Sequence, residues 1–309
     1  MDSSFFVAAV YAGTPLLFAT LGEITTEKAG NLNLGVEGMM LMGAVAGFGA
    51  GLATSNPLIA LLAAMLSGAV GALVYALLTV TLRANQVVTG LALTTFGAGI
   101  ASFAGKSYTG KIMTEEFREF FRAKSIPLLS KIPFIGDVFF NQGIFVYLGY
   151  FMAIVLGIYL YNTRKGLNLR AIGENPSCAD ASGININLYK YVHILIGGAL
   201  CGLGGAYLSL VYVPTWQENI TAGRGWIAIA LVIFCKWNPY LALFGAYLFG
   251  GLDIIGFRIQ SLDINIPQEI IGMLPYIVTI VVLVIGTARE SKENAPPKGL
   301  GNAYFREER

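Results

Sequence analysis

Apolar runs about as long as a bilayer is thick recur along this chain, and no other feature limits its fold so tightly. A spanning helix needs roughly 20 mostly apolar residues. Residues 4–21, 35–53, 58–82, 86–104, 143–162, 188–211, 240–258 and 268–287 each read as such a run. Residues 226–237 are apolar too but too short to cross, so they predict a half-helix. Lipid offers no hydrogen-bond partners, so helices are the economical way to bury this much backbone. The expectation is an all-α polytopic membrane protein with about nine (eight to ten) transmembrane elements. Composition agrees, since 55% hydrophobic and 12% charged residues with a mean hydropathy of +0.66 do not make a water-facing surface.

Polar interruptions divide the runs. Residues 22–36 interleave Glu23, Glu27, Lys28, Asn31 and Asn33 with apolar side chains, which predicts irregular backbone enclosed by protein or a water-filled cavity. Pro15 should kink the first helix. Gly43, Gly47 and Gly51, and again Gly197, Gly198, Gly202, Gly204 and Gly205, strip side chains from helix faces and allow close packing. The external loop 105–141 holds a candidate helix capped by Thr114, with Phe117, Phe120 and Phe121 on one face and Glu116, Arg118, Glu119 and Arg122 on the other, expected to lie on the membrane surface. Residues 1–288 read as one transmembrane domain, and the charged, Pro-containing tail 289–309 as disordered. Residues 35–58 and 225–240 both run from glycine through an apolar helix to Asn-Pro, a faint sign of an inverted repeat. An odd number of elements puts the termini on opposite sides. Twelve Lys and Arg on the tail side against eight opposite place the N-terminus outside and the tail in the cytoplasm.

Little here suggests an enzyme. No GxxxxGK[ST] pattern exists, so any ATP must be split by another subunit. His193 stands alone within a span, the three cysteines show no CxxC spacing, and no metal site or disulfide is expected. A formal charge of +2 without a basic patch argues against nucleic acid. No cleavable leader is evident at the start. The informative polar residues are Asn31, Asn33 and Glu37. Amides can donate and accept toward a polar solute, while Glu37, in a helix's first turn, can line a path or tie down broken backbone. Asp253 and Lys236 read as interior or interfacial ion partners.

Residues 164–190, RKGLNLRAIGENPSCADASGININLYK, are the most polar stretch between two apolar runs. Asn175 can cap a helix, Pro176 fits its first position and Gly183 suits a left-handed end, which predicts two turns over 176–182. Within this stretch LRAIGENPSCADASGIN, together with EITTEKAGNLNLGVEGMMLMGA at 23–44 and GRGWIAIALVIFCKWNP at 223–239, resembles the permeases of ABC importers for branched-chain amino acids, simple sugars and nucleosides, closest to the nucleoside branch. The resemblance implies a type II importer-like fold in a bacterial cytoplasmic (inner) membrane. It implies that loop 164–190 docks an ATPase subunit, through Arg170, Gly173, Glu174, Asn175, Pro176, Ala179 and Gly183. It also implies ATP and Mg on that subunit, no cofactor in this chain, a second homologous permease and an external substrate-binding lipoprotein. Nucleosides are the expected cargo past Asn31, Asn33 and Glu37, with ribose-like sugars or branched-chain amino acids as alternatives. An ion-coupled secondary transporter is the other class, and it would need more midplane carboxylates or histidines than this chain has.

Overall fold

The computed structural model describes residues 3–127, 129–260, 267, 273–288 and 295–306. Among these, seven helices are long and apolar enough to cross a membrane. They are α1 (Ser3–Glu27), α2 (Val36–Thr54), α3 (Pro57–Ala76, extended by a π-helical turn Leu77–Thr81), α4 (Gln86–Gly105), α7 (Ile144–Asn162), α10 (Ile186–Tyr207, extended by a π-helical turn Leu208–Tyr212) and α12 (Pro239–Gln260). Two shorter apolar helices, α11 (Arg224–Phe234) and α13 (Leu274–Ala288), are described beside them, so the count of about nine elements is slightly above the seven spanning helices among the described residues. Residues 268–272 of the last expected run lie outside the described residues.

Three helices make the hub. About three quarters of α1, α2 and α10 is buried, against 28–44% of α3, α4, α7 and α12. Lipid removes the hydrophobic drive for helix association, so close packing has to hold the hub together. The glycine faces do this: a Cβ at Gly43 would strike the backbone of Gly202, and one at Gly198 would strike Gly68 and Ala72.

Contacts along the helices fix their directions. Gly22 lies on Gly197 and Pro15 beside Gly204, so α1 and α10 run antiparallel; the Tyr207 hydroxyl donates to the Tyr11 carbonyl at 2.9 Å between them. Met39 meets Gly198 and Gly43 meets Gly202, so α2 runs parallel to α10. Gly13 lies on Ala246 and Ala9 on Gly250, so α12 opposes α1. The triplet α10–α11–α12 therefore repeats α1–α2–α3 with reversed direction. The joints match as well, since the Asn56 side chain accepts from Leu58 N at 2.9 Å and Asn238 from Tyr240 N at 2.9 Å, each before a proline that opens the next helix.

Three expectations need correction. The irregular stretch is shorter than 22–36, because α1 continues through Glu27 and only residues 28–35 leave the helix. The loop helix α5 (Glu115–Phe121) begins after Thr114, whose side chain makes no cap bond. Phe117 and Phe121 turn into the bundle, where Phe121 packs on Phe145 and Phe117 against Gly51; the helix plugs the bundle end instead of resting on lipid. A small helix α6 (Ile135–Phe139) and a two-stranded ribbon, β1 (Ala123–Ser125) with β2 (Asn141–Gly143), close the same loop. The third correction is the tail. Residues 295–306 are ordered against the far end of the bundle, where helices α8 (Arg164–Glu174) and α9 (Pro176–Ala181) also lie. This end carries loop 164–190, which the sequence resemblance expects to couple to an ATPase, and it is named the coupling end after that expectation.

Candidate functional site

A buried polar junction forms where two helix N-termini meet. α11 begins inside the bundle, after residues 213–223 fold back from the end of α10, and its first turn abuts the first turn of α2. The Glu37 carboxylate joins them: Oε1 accepts from Thr221 Oγ1 at 2.5 Å and Gly223 N at 2.9 Å, and Oε2 accepts from Gly225 N at 2.6 Å. Both helix dipoles favour a negative charge here. Gly223 sits at φ +84°, and a Cβ at Gly225 would lie 2.5 Å from the Glu37 backbone, so neither position accepts a side chain without rearrangement. Asn219 and Ala222 are also left-handed, at φ +53° and +46°, a local cluster of strained backbone of the kind found at functional sites.

Between the two bonded glycines lies Arg224, whose Nη1 donates to the Thr221 carbonyl at 3.4 Å. Its guanidinium lies 3.9 Å from Asp253 on α12 and 5.4 Å from the Tyr212 ring centre, and its buried Nε has no partner among the described residues. The side chains of Arg224 and Asp253 are 16% and 21% exposed, so this intramembrane pair borders open space. Lys236, by contrast, is exposed at the coupling end.

Residues 28–35 are held from three sides. Glu23 Oε1 accepts from Asn33 N at 3.0 Å, Gln86 Oε1 from Leu32 N at 2.7 Å, and the Tyr75 hydroxyl donates to the Leu32 carbonyl at 2.6 Å. Asn33 Oδ1 accepts from Gly35 N at 2.9 Å, closing the turn into α2. Asn31 is buried, with both amide atoms unpartnered among the described residues. Glu27 accepts from the Trp237 indole N–H, which two successive left-handed residues, Lys236 and Trp237, swing back toward α1. His193 bridges the Tyr159 hydroxyl at 2.8 Å and the Tyr189 carbonyl at 2.7 Å, a packing role.

At the coupling end α8 and α9 form a bent pair around Asn175, which ends one helix and caps the next by accepting from Cys178 N at 3.0 Å. Pro176 opens α9, and Gly183 closes it at φ +79°, where Gly183 N donates to Asp180 O and Ile184 N to Ala179 O, the paired bonds of a Schellman end. Ala179 is buried with Ile172 and Ile186, so it fastens α9 to its base. Arg170 stacks over Tyr161 at 5.4 Å and Glu174 is exposed. A Cβ at Gly173 would strike the Lys28 carbonyl, which puts α8 directly on the turn after α1. Burial there pushes the Lys28 ammonium below its usual pKa, against the pull of Glu174.

The structure thus places Arg170, Gly173, Glu174, Asn175, Pro176, Ala179 and Gly183 along the bent pair α8–α9 and its ends, and separates Asn31 and Asn33, near the coupling end, from Glu37 farther in. Sequence reasoning missed α8, although Gly166, Leu169 and Gly173 bury one face at helical spacing and the Thr163 side chain caps it. It also missed Arg224 and Thr221, whose signal was an isolated Arg just before the half-helix.

Residues 5–283 match the family described as branched-chain amino acid transport system / permease component. The chain belongs to this family. The permease is 38% identical to a putative glucose ABC transporter permease, TsgC13, of Haloferax volcanii over 97% of both chains. It is 36% identical to the guanosine ABC transporter permease NupQ of Bacillus subtilis over 93% of both. A second guanosine permease of that organism, NupP, is 23% identical over 89% of this chain and 79% of its own. The permease is thus the membrane subunit of an ABC importer and not itself an enzyme, and the ion-coupled reading falls.

Proposed function

We propose that this permease carries nucleosides inward across a bacterial cytoplasmic membrane, beside a second, homologous permease, with an external lipoprotein delivering the solute. Hydrolysis of ATP with Mg falls to an ATPase subunit seated on α8–α9 through Arg170, Gly173, Glu174, Asn175, Pro176, Ala179 and Gly183. The observation that carries the reading is the junction of α2 and α11 within an inverted repeat, the arrangement that places solute sites beside discontinuous helices. The two guanosine relatives, one much nearer to this chain than the other, support both the cargo and the unlike pair. N-terminus outside and tail inside is the orientation that puts α8–α9 in the cytoplasm.

In this reading the solute passes a polar seam from the α11 start toward Asn31. Asn31 offers a free amide, Asn33 shapes the turn into α2, and Glu37 keeps the α11 N-terminus in place. Contacts are few because tight recognition belongs to the lipoprotein. Uptake of radiolabelled guanosine by the reconstituted complex, with Asn31→Ala, Asn33→Ala and Glu37→Gln, tests the assignment. Uptake should fall in at least one variant while the complex still forms; unchanged uptake in all three rejects these residues. The likeness to a putative glucose permease favours sugar as the second reading, and parent protein that prefers glucose or ribose over guanosine would establish it.

A further inference from the structure

The tail is the part of the molecule whose order its composition least explains. Gly299 N donates at 2.8 Å to the carbonyl of Gly173, one of the α8 carbonyls left over in the last turn. The Pro297 ring packs against the same residue, and Gly301 N donates at 3.3 Å to Gly30 O in the turn after α1. Farther along, the Tyr304 hydroxyl donates to Asp180 Oδ2 on α9 at 2.9 Å, Arg306 Nε lies 3.0 Å from the same oxygen, and Phe305 lies under Arg83, 4.5 Å from its ring centre, at the hinge between α3 and α4. Ten residues thus touch four separate segments of the coupling end. An exposed ion pair such as Arg306–Asp180 contributes little alone. The backbone bonds, the buried proline and the Tyr304 contact fix the path.

Size gives the tail a purpose. α9 has six residues and is about 9 Å long. A stable protein–protein contact engages roughly 20–30 residues a side. The α9 helix is too small to seat a subunit, and the surface beside it is the tail. Lys298, Gly301, Asn302 and Arg306 of the tail and Glu174, Ser177, Cys178 and Ser182 of the α9 region are each exposed.

Resting on the ATPase-coupled reading above, we propose that residues 297–306 form one composite docking platform with α8 and α9 for the ATPase subunit, and that the tail straps α9 to the turn after α1 and to the Arg83 hinge. Movement of the seated ATPase then reaches α9, residues 28–30 and the base of α4 as one body.

The test uses the full complex purified through a tag at the permease N-terminus. A chain ending at residue 294 should accumulate in the membrane yet retain about tenfold less ATPase per permease, a change worth one decade in affinity, with ATP-driven uptake falling in parallel. Tyr304→Phe combined with Arg306→Ala, which leaves the backbone strap in place, should lose several-fold, and it decides the question if the shortened chain fails to accumulate. Undiminished ATPase retention overturns the platform, and so does lost uptake with the ATPase fully retained. Parent protein that retains no ATPase would instead remove the coupled reading beneath it.

Discussion

The two copies of the repeat treat their middle helix differently. In α1–α2–α3 the break falls at the coupling end, residues 28–35, and α2 then runs 19 residues to the far side. In α10–α11–α12 the break is carried inward by residues 213–223, and α11 has only 11 residues to reach the coupling end. Side chains from α1, α3 and α4 clamp the first break, while the second is held by the Glu37 carboxylate of α2 at its inner end and by the Ile112–Thr215 bridge and the packing of Trp216 on Phe48 at its outer end. The clamped break sits beside α8 and the tail, the end at which the proposed function seats the ATPase. The other leaves the partly exposed Arg224–Asp253 pair beside it, which the proposed function places on the solute path. Unequal anchoring of equivalent segments is how a repeat can divide coupling from passage.

The largest test of this contrast removes the carboxylates one at a time. Glu37→Ala strands the Gly223 and Gly225 amides and the Thr221 hydroxyl in the bundle interior, at roughly 1–3 kcal/mol for each unsatisfied group. Glu23→Ala strands one amide, with Gln86 and Tyr75 still holding residue 32. Thermal unfolding in detergent should show the Glu37→Ala midpoint well below that of Glu23→Ala. Equal midpoints would mean that the Ile112–Thr215 bridge and the packing of Trp216, not Glu37, carry the second break.

Gly225→Val comes next. The added side chain meets the Glu37 backbone in a packed site, and overpacking costs about 1–3 kcal/mol. Gly183→Val, on the exposed α9 cap, meets no atoms but forces a left-handed β-branched residue, at about 1–2 kcal/mol. The first should lower the bundle's unfolding midpoint; the second should leave it nearly unchanged while reducing ATPase retention. A bundle as sensitive to position 183 as to 225 would show that α9 folds as part of the core.

Much of this division was legible beforehand, and the physics says why the rest was not. Bilayer-length apolar runs place seven spans within a few residues, and Asn175, Pro176 and Gly183 place α9, because caps and turns are local chemistry. The Asn-Pro joints exposed the repeat for the same reason. What stayed hidden depends on distant partners. Glu23 and Glu27 look too polar for a helix until the Asn33 amide and the Trp237 indole supply donors. Phe117 and Phe121 have the pattern of a lipid-facing anchor, and only the proximity of Phe145 reveals that they face protein. The tail reads as disordered because its order comes from carbonyls and a carboxylate on other segments. Glu37 was legible as important, but not which backbone it would hold.

A smaller effect is expected at the link between the halves at the coupling end. Trp237→Phe keeps an aromatic ring, though a smaller one, and removes the N–H that satisfies buried Glu27, so stability should drop by about 1–2 kcal/mol. Glu27→Gln should drop less, because an amide oxygen can still accept from the indole. If Trp237→Phe is neutral in thermal unfolding, the indole bond does not tie α11 to α1.

The smallest effect on stability, and the most telling for transport, belongs to Arg224 and Asp253. Their separation of 3.9 Å and partial exposure describe a loose pair, so Arg224→Gln combined with Asp253→Asn should change stability by less than about 1 kcal/mol. If the charges served only to fasten α11 to α12, neutralising both together would preserve uptake as well. On the reading that the second break borders the path, the guanidinium and carboxylate present a donor and an acceptor to the passing solute beside the Tyr212 ring, and guanosine uptake should fall by an order of magnitude while ATPase retention stays whole. The single variants sharpen the point. Arg224→Gln alone leaves Asp253 unpaired and should destabilise more than the double change, whereas uptake should be low in both. Uptake that instead tracks stability across the three variants would return the pair to a structural role and leave the path to the Asn31 side of the seam.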